Sequence, residues 1–156
     1  MLPAALTGDG APGLTVEGCV FCAIVAGGVP AHVVASDEHT LAFLDVRPVF
    51  PGHVLLVPRD HLETLGDVPP ALMGPLFDAV QRLARAVEAA MDAHGSFVAM
   101  NNRVSQSVPH LHVHVVPRRR KDGLRGFFWP RQRYTGEEEM AAVAARIRGA
   151  TEGVAR

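Results

Sequence analysis

The sequence predicts an α+β fold: an antiparallel sheet with helices segregated from it. Three observations lead there. Short runs of strand character mostly follow one another along the chain, and such connections build antiparallel sheets. One long apolar stripe, Leu72, Leu76, Val80, Leu83, Val87 and Met91, recurs at helical spacing. In VPHLHVHVVPR, residues 108–118, apolar and imidazole side chains alternate strictly, the period of a strand with two different faces.

The elements follow in order. Residues 1–17 read as a flexible tail, rich in Gly, Pro and small residues. CVFCAIVAGG reads as a short helix ended by Gly27 and Gly28. His32–Ser36 and Thr40–Asp45 are strands around a turn at Asp37 and Glu38. Two prolines and a glycine make Arg47–Gly52 a loop, and HVLLVP (53–58) is a third strand, apolar enough for burial. Asp67 with Pro69 starts the long helix and Gly95 ends it. Phe97–Asn101 is a fourth strand and His110–Val116 a fifth, between Pro109 and Pro117. Thr135 and Glu138 read as a capping box for a terminal helix carrying Met140, Val143 and Ile147.

The composition is that of a globular protein, 48% hydrophobic and 20% charged with a net charge of −1. A single domain with a real core is expected at this length. The charge balance gives no signal for nucleic acid or membrane, and no apolar run reaches the ~18–20 residues of a membrane helix. The N-terminus lacks the basic start and apolar core of a signal peptide. Together these point to the cytoplasm, where Cys19 and Cys22 are not expected to form a structural disulfide. Arg118, Arg119, Arg120, Lys121, Arg125, Arg131 and Arg133 cluster after the histidine run. They read either as a solvated loop or as a basic rim beside an anion site.

His110, His112 and His114 stand two apart, so on a strand they share one face at intervals of about 6–7 Å. Leu111, Val113 and Val115 take the other. Eight histidines in the whole chain make this alternation a poor coincidence, and two chemistries fit it. A metal enzyme would use histidine ligands with an open position for water. Three successive same-face positions, however, do not converge easily onto bonds of ~2.0–2.1 Å. A nucleophilic enzyme would use the middle imidazole, His112, to attack phosphorus. Ser105, Gln106, Ser107 and backbone N–H groups would then supply donors to a phosphate.

The pattern His110-Leu-His112-Val-His114-Val-Val resembles the motif of the histidine triad (HIT) family. The resemblance extends to CVFCAIVAGGVPAHVV, AFLDVRPVFPGHVLLVPRDHL and QSVPHLHVHVVPR, three blocks in order from Cys19 to about Arg118. It implies a five-stranded antiparallel sheet with two main helices and a domain core over 18–118, leaving 119–156 as a C-terminal extension. It implies a homodimer formed through the long helix and the fourth strand, and a small-molecule nucleotide substrate attacked at its α-phosphate. Carried over residue by residue, His112 is the nucleophile. His114 would hydrogen-bond the phosphate or leaving group. Asp45 matches the acid that holds the ribose hydroxyls, and His53 a histidine behind the phosphate pocket. Asn101 matches an asparagine ending the fourth strand; Gln106 and Ser107 match the phosphate-contacting pair. On their own, Asp45 reads as a loop cap and His53 as a half-buried histidine. One departure stands out: the loop before Gln106 is short and has no glycine, which limits close backbone approach to a phosphate.

Cys19-Val-Phe-Cys22 has three readings: a redox pair, two core cysteines, or half of a zinc site. HIT relatives with this pair that bind a structural zinc use two further ligands, matching His61 and His110. A zinc there would anchor the triad strand and leave His112 free. The chemistry itself would need no cofactor. Beyond the shared blocks, the resemblance suggests Trp129 and the nearby arginines as lining for the leaving-group side. The expected activity is hydrolysis or transfer on a dinucleoside polyphosphate or a nucleoside phosphoramidate; the alternative is a nucleotide-binding or signalling module with negligible turnover.

Overall fold

The computed structural model describes residues 13–125 and 131–154. The chain divides into two compact units, one through Arg120 and one from Lys121. In the first, helix α1 (Val20–Val25) precedes strands β1 (Val33–Ser36), β2 (Thr40–Leu44) and β3 (Val54–Pro58). A 3-10 turn (Leu65–Asp67) then leads into helix α2 (Pro70–Ala90), followed by β4 (Gly95–Ala99) and β5 (Val113–Arg118). The second unit holds helix α3 (Glu137–Glu152).

The five strands form one sheet in the order β1-β2-β3-β5-β4, with antiparallel pairing throughout. Alternation along the strands splits the side chains into two layers. Ala42, Val54, Leu56, Val113 and Val115 face the α2 stripe of Leu72, Leu76, Ala79, Val80, Leu83 and Val87. Leu41, Phe43, Leu55 and Val57 pack instead with Phe21 of α1. In this register Leu55 of β3 pairs with His114 of β5. The histidines therefore lie on the α1 side of the sheet, while Leu111 joins Val113 and Val115 beneath α2. Among the described residues, no helix is long and apolar enough to cross a membrane.

Four boundaries differ from the sequence expectation, each for a local reason. Strand β5 starts at Val113, not His110, because the Leu111 N–H is taken by the Leu62 carbonyl at 2.6 Å instead of a strand partner. Helix α2 starts at Pro70, where a missing N–H costs nothing. Asp67 does not cap it; its carboxylate accepts from the Thr64 N–H and hydroxyl at 2.9 and 2.7 Å and closes the 3-10 turn. Gly95 opens β4 instead of ending α2, and the chain reverses at Asp92, which takes a left-handed φ of 48°. At α3 the N-cap is Gly136. The Thr135 N–H and hydroxyl donate to Glu139 at 2.6 and 3.0 Å, one residue beyond the expected partner Glu138.

Candidate active site and metal centre

The alternating segment divides its three imidazoles among different neighbours. His110, fully buried, donates from Nε2 to the Pro58 carbonyl at 2.9 Å. A carbonyl can only accept, so that nitrogen carries the proton and Nδ1 presents a lone pair. Nδ1 faces Cys19 Sγ at 3.5 Å and Cys22 Sγ at 3.6 Å. His61 Nδ1 lies 3.3 Å from Cys22 Sγ, and the four ligand atoms stand within 4.8 Å of one another. Around a tetrahedral zinc, with bonds of ~2.3 Å to sulfur and ~2.05 Å to nitrogen, sulfur and nitrogen ligands stand ~3.5 Å apart. These three sulfur–nitrogen separations therefore already match those of a tetrahedral site. Burial pushes the Cys22 thiol up, with added repulsion from Cys19, and a cation would reverse this by holding the thiolate. Burial also lowers the His110 pKa, keeping the ring neutral as ligation requires. Helix α1 makes the arrangement local, because its N-cap is Cys19, whose sulfur accepts from the Cys22 N–H at 3.5 Å.

His112 donates from Nδ1 to the His110 carbonyl at 2.7 Å. That bond fixes its tautomer and leaves the Nε2 lone pair unprotonated, the form a nucleophilic imidazole needs. Phe21 packs edge-on against this ring, with centroids 5.2 Å apart.

His114 belongs to a second chain of hydrogen bonds. The Val49 N–H donates to His53 Nδ1 at 3.1 Å, so neutral His53 carries its proton on Nε2. That proton points to His114 Nδ1 at 2.9 Å, which leaves His114 with N–H at Nε2. Burial, then the neighbouring His112 and His53, push the His114 pKa down to about 4, against a smaller opposing pull from Asp45. Burial likewise lowers His53, and Asp45 partly offsets it. The Asp45 carboxylate lies 3.7 Å from His53 Nδ1 and accepts from the Arg47 N–H at 2.8 Å. Asp45, His53 and His114 are close enough to share an ion, but the bond from Val49 argues against it. A metal on His53 Nε2 would move the ring proton to Nδ1, against the Val49 N–H.

His112 and His114 line a cavity of about 690 Å³ with Asp45 and Ser107 on its polar side. Phe21, Ile24, Pro30, Phe43 and Leu55 form an apolar wall. This suits a planar apolar group joined to a polar one. Of the other expected site residues, Asn101 donates to the Ser105 carbonyl at 3.1 Å. Gln106 is turned away: Nε2 donates to the Glu63 carbonyl at 2.6 Å, and Oε1 accepts from the Arg103 N–H at 2.8 Å. Trp129 lies outside the described residues. The sequence reading missed Phe21 and the backbone groups of Val49, Pro58 and Glu63. Phe21 had a signal, since it lies between the two cysteines; backbone partners leave none.

The HIT domain family matches residues 26–121. A relative named Protein hit, from Bacillus subtilis, is 39% identical over 115 residues, covering 72% of this chain and 79% of its own. The adenosine 5'-monophosphoramidase HNT1 of Saccharomyces cerevisiae is 31% identical over 123 residues, covering 78% and 76%. Among solved structures, a HIT family member from Bacillus subtilis aligns with a TM-score of 0.79 at 34% identity, covering 90% of this chain and 99% of that one. A zinc-bound histidine triad family protein from Mycobacterium smegmatis aligns with a TM-score of 0.65 at 38% identity, covering 85% and 97%.

Proposed function

The chain belongs to the HIT family, and from that premise we propose that it is a nucleotidyl hydrolase or transferase acting through His112. The observation that carries this reading is the bond from His112 Nδ1 to the His110 carbonyl at 2.7 Å, which leaves the Nε2 lone pair free beside the cavity. In the proposed reaction Nε2 attacks the α-phosphorus of a nucleoside phosphate derivative. A phosphorus–nitrogen bond forms as the bond to the leaving group breaks. His114, neutral in the free site, offers its Nε2–H to the phosphate or the departing group. A bound anion would raise its pKa and strengthen that donation. Water then opens the nucleotidyl-histidine, releasing the nucleotide and restoring the imidazole. Ser107 serves the same phosphate, and Asp45 the ribose. The relative named a monophosphoramidase supports an amine leaving group as one substrate class; a dinucleoside polyphosphate is the other.

The four donors Cys19, Cys22, His61 and His110 would hold one zinc, and the zinc-bound relative supports that assignment. All four positions are protein ligands, so the metal's contribution is to fold and not to chemistry. The Pro58 carbonyl orients His110 toward it. We also propose a cytoplasmic homodimer built on α2 and the sheet-edge strand β4, whose Val98 is 42% exposed. The direct test is to incubate the protein with an adenosine 5'-phosphoramidate and with diadenosine polyphosphates and to measure AMP. Release of AMP, lost in His112→Ala, supports the enzyme. Nucleotide binding without AMP would leave a binding module.

A further inference from the structure

The loop that carries Ser107 is built unlike a phosphate loop. It has no glycine, yet Arg103 and Ser105 hold left-handed φ values of 70° and 60°. An L-residue keeps that conformation only where its surroundings over-determine it. The surroundings are polar ties to one short segment. Gln106 Nε2 donates to the Glu63 carbonyl at 2.6 Å, and the Leu65 N–H donates to Asn102 Oδ1 at 2.7 Å. The Leu111 N–H donates to the Leu62 carbonyl at 2.6 Å, just beyond the loop. Within the loop, Gln106 Oε1 accepts from the Arg103 N–H at 2.8 Å, which braces one left-handed residue directly. The segment receiving these ties begins at His61, whose Nδ1 lies 3.3 Å from Cys22 Sγ in the metal cluster.

We propose that Gln106 is a positioning residue that ties the Ser107 loop to His61–Leu65, so that metal at the Cys19–Cys22–His61–His110 cluster holds the phosphate side of the cavity in shape. Fixing His61 removes freedom from the two residues before Glu63. The Glu63 carbonyl and Leu65 N–H are then held in place, and through them the left-handed turns that set Ser107. One Nε2 hydrogen and the Oε1 of Gln106 are engaged by this tie, which turns the amide toward Glu63 and Arg103. The placement of Ser107 at a phosphate rests on the nucleotide reading above; the mechanical coupling does not.

The test is amide hydrogen exchange over residues 100–108, compared in the zinc-loaded protein, after zinc is removed by a chelator, and in Gln106→Met. In the wild type, zinc removal should speed exchange at the Arg103, Val104 and Gln106 amides by about tenfold or more while the α2 amides change far less, as local opening does. Zinc-loaded Gln106→Met should already exchange fast there, and chelation should add little. A loop indifferent to zinc overturns the proposal, as does Gln106→Met protected like the wild type or responding to chelation by the full wild-type factor. Gln106→Glu provides the second arm: it keeps the acceptor for Arg103 and loses the donor to Glu63. If the tie to Glu63 is what holds the loop, zinc-loaded Gln106→Glu should exchange as fast as Gln106→Met at the Val104 amide, although the brace to Arg103 is kept. Gln106→Glu protected like the wild type would show that the bond to Glu63 is not needed and overturn the proposal. The exchange measurement needs no nucleotide, so a protein that releases no AMP still decides this question.

Discussion

His112 and His114 carry the same ring in the same short run, and their neighbours give them opposite hydrogen-bond roles. The His110 carbonyl takes the Nδ1 proton of His112, whereas His53 feeds a proton to Nδ1 of His114. His114→Ala should therefore reduce kcat by about 10²–10⁴-fold, the range for losing a proton-transfer partner, with AMP binding retained. His53→Ala should lower kcat by about 10–100-fold, as expected when a group orienting a functional histidine is lost; steady-state kinetics on a phosphoramidate would show it, and an unchanged kcat would remove His53 from the account. Stability follows the same protons. The His114 pKa falls from 6.5 to about 4 on folding, so between those values the unfolded chain binds more protons than the folded one. Stability is then full above pH 6.5 and declines as the pH falls toward about 4. Denaturant midpoints measured across this window should drop, and His114→Gln should flatten the slope. A slope identical to wild type would contradict the buried, neutral ring.

At the scale of elements, the α1 side of the sheet brings together four potential metal ligands from helix α1, the segment after β3 and the start of the triad run. Metal analysis should find about one zinc per chain, lost on Cys22→Ala together with a large fall in thermal stability, since such binding energy is folding energy. A metal-free preparation with wild-type melting would refute the structural role. On the other face, Leu76 is fully buried beneath the sheet, and Leu76→Ala should cost about 2–5 kcal/mol in denaturant unfolding. Elements set by side-chain period were legible in the sequence, because a buried stripe such as Leu72–Val87 and the alternation of Val113 and Val115 are written directly in residue types. Boundaries set by backbone partners were not. Nothing in HLHVH says that the Leu111 N–H turns to Leu62, and nothing in DVPP says that Asp67 closes a 3-10 turn with Thr64. At the site, Asp45, His53, His112 and His114 could be singled out from the resemblance of whole blocks. The direction of Gln106 could not, because it depends on a carbonyl more than forty residues away in sequence.

For the whole molecule, one sheet separates two tasks. The α2 face is an apolar core built mainly of Leu and Val, and the α1 face places a candidate metal ligand and the proposed nucleophile two residues apart on one stretch of chain, at His110 and His112. The edge strand β4 is where a second copy is expected. Sedimentation should give twice the chain mass, and Val98→Lys should shift it toward the monomer, because charge on an edge strand opposes pairing. The claim on which the rest depends is covalent catalysis by His112. Its most direct measurement is rapid acid-free quenching of the zinc-loaded protein with an adenosine 5'-phosphoramidate, followed by mass spectrometry of the peptide containing residues 108–118. The expected result is an adenylyl group on His112 that decays as AMP appears and is absent in His112→Ala. AMP released by His112→Ala at the wild-type rate, or the adenylyl group found on another residue, would contradict it.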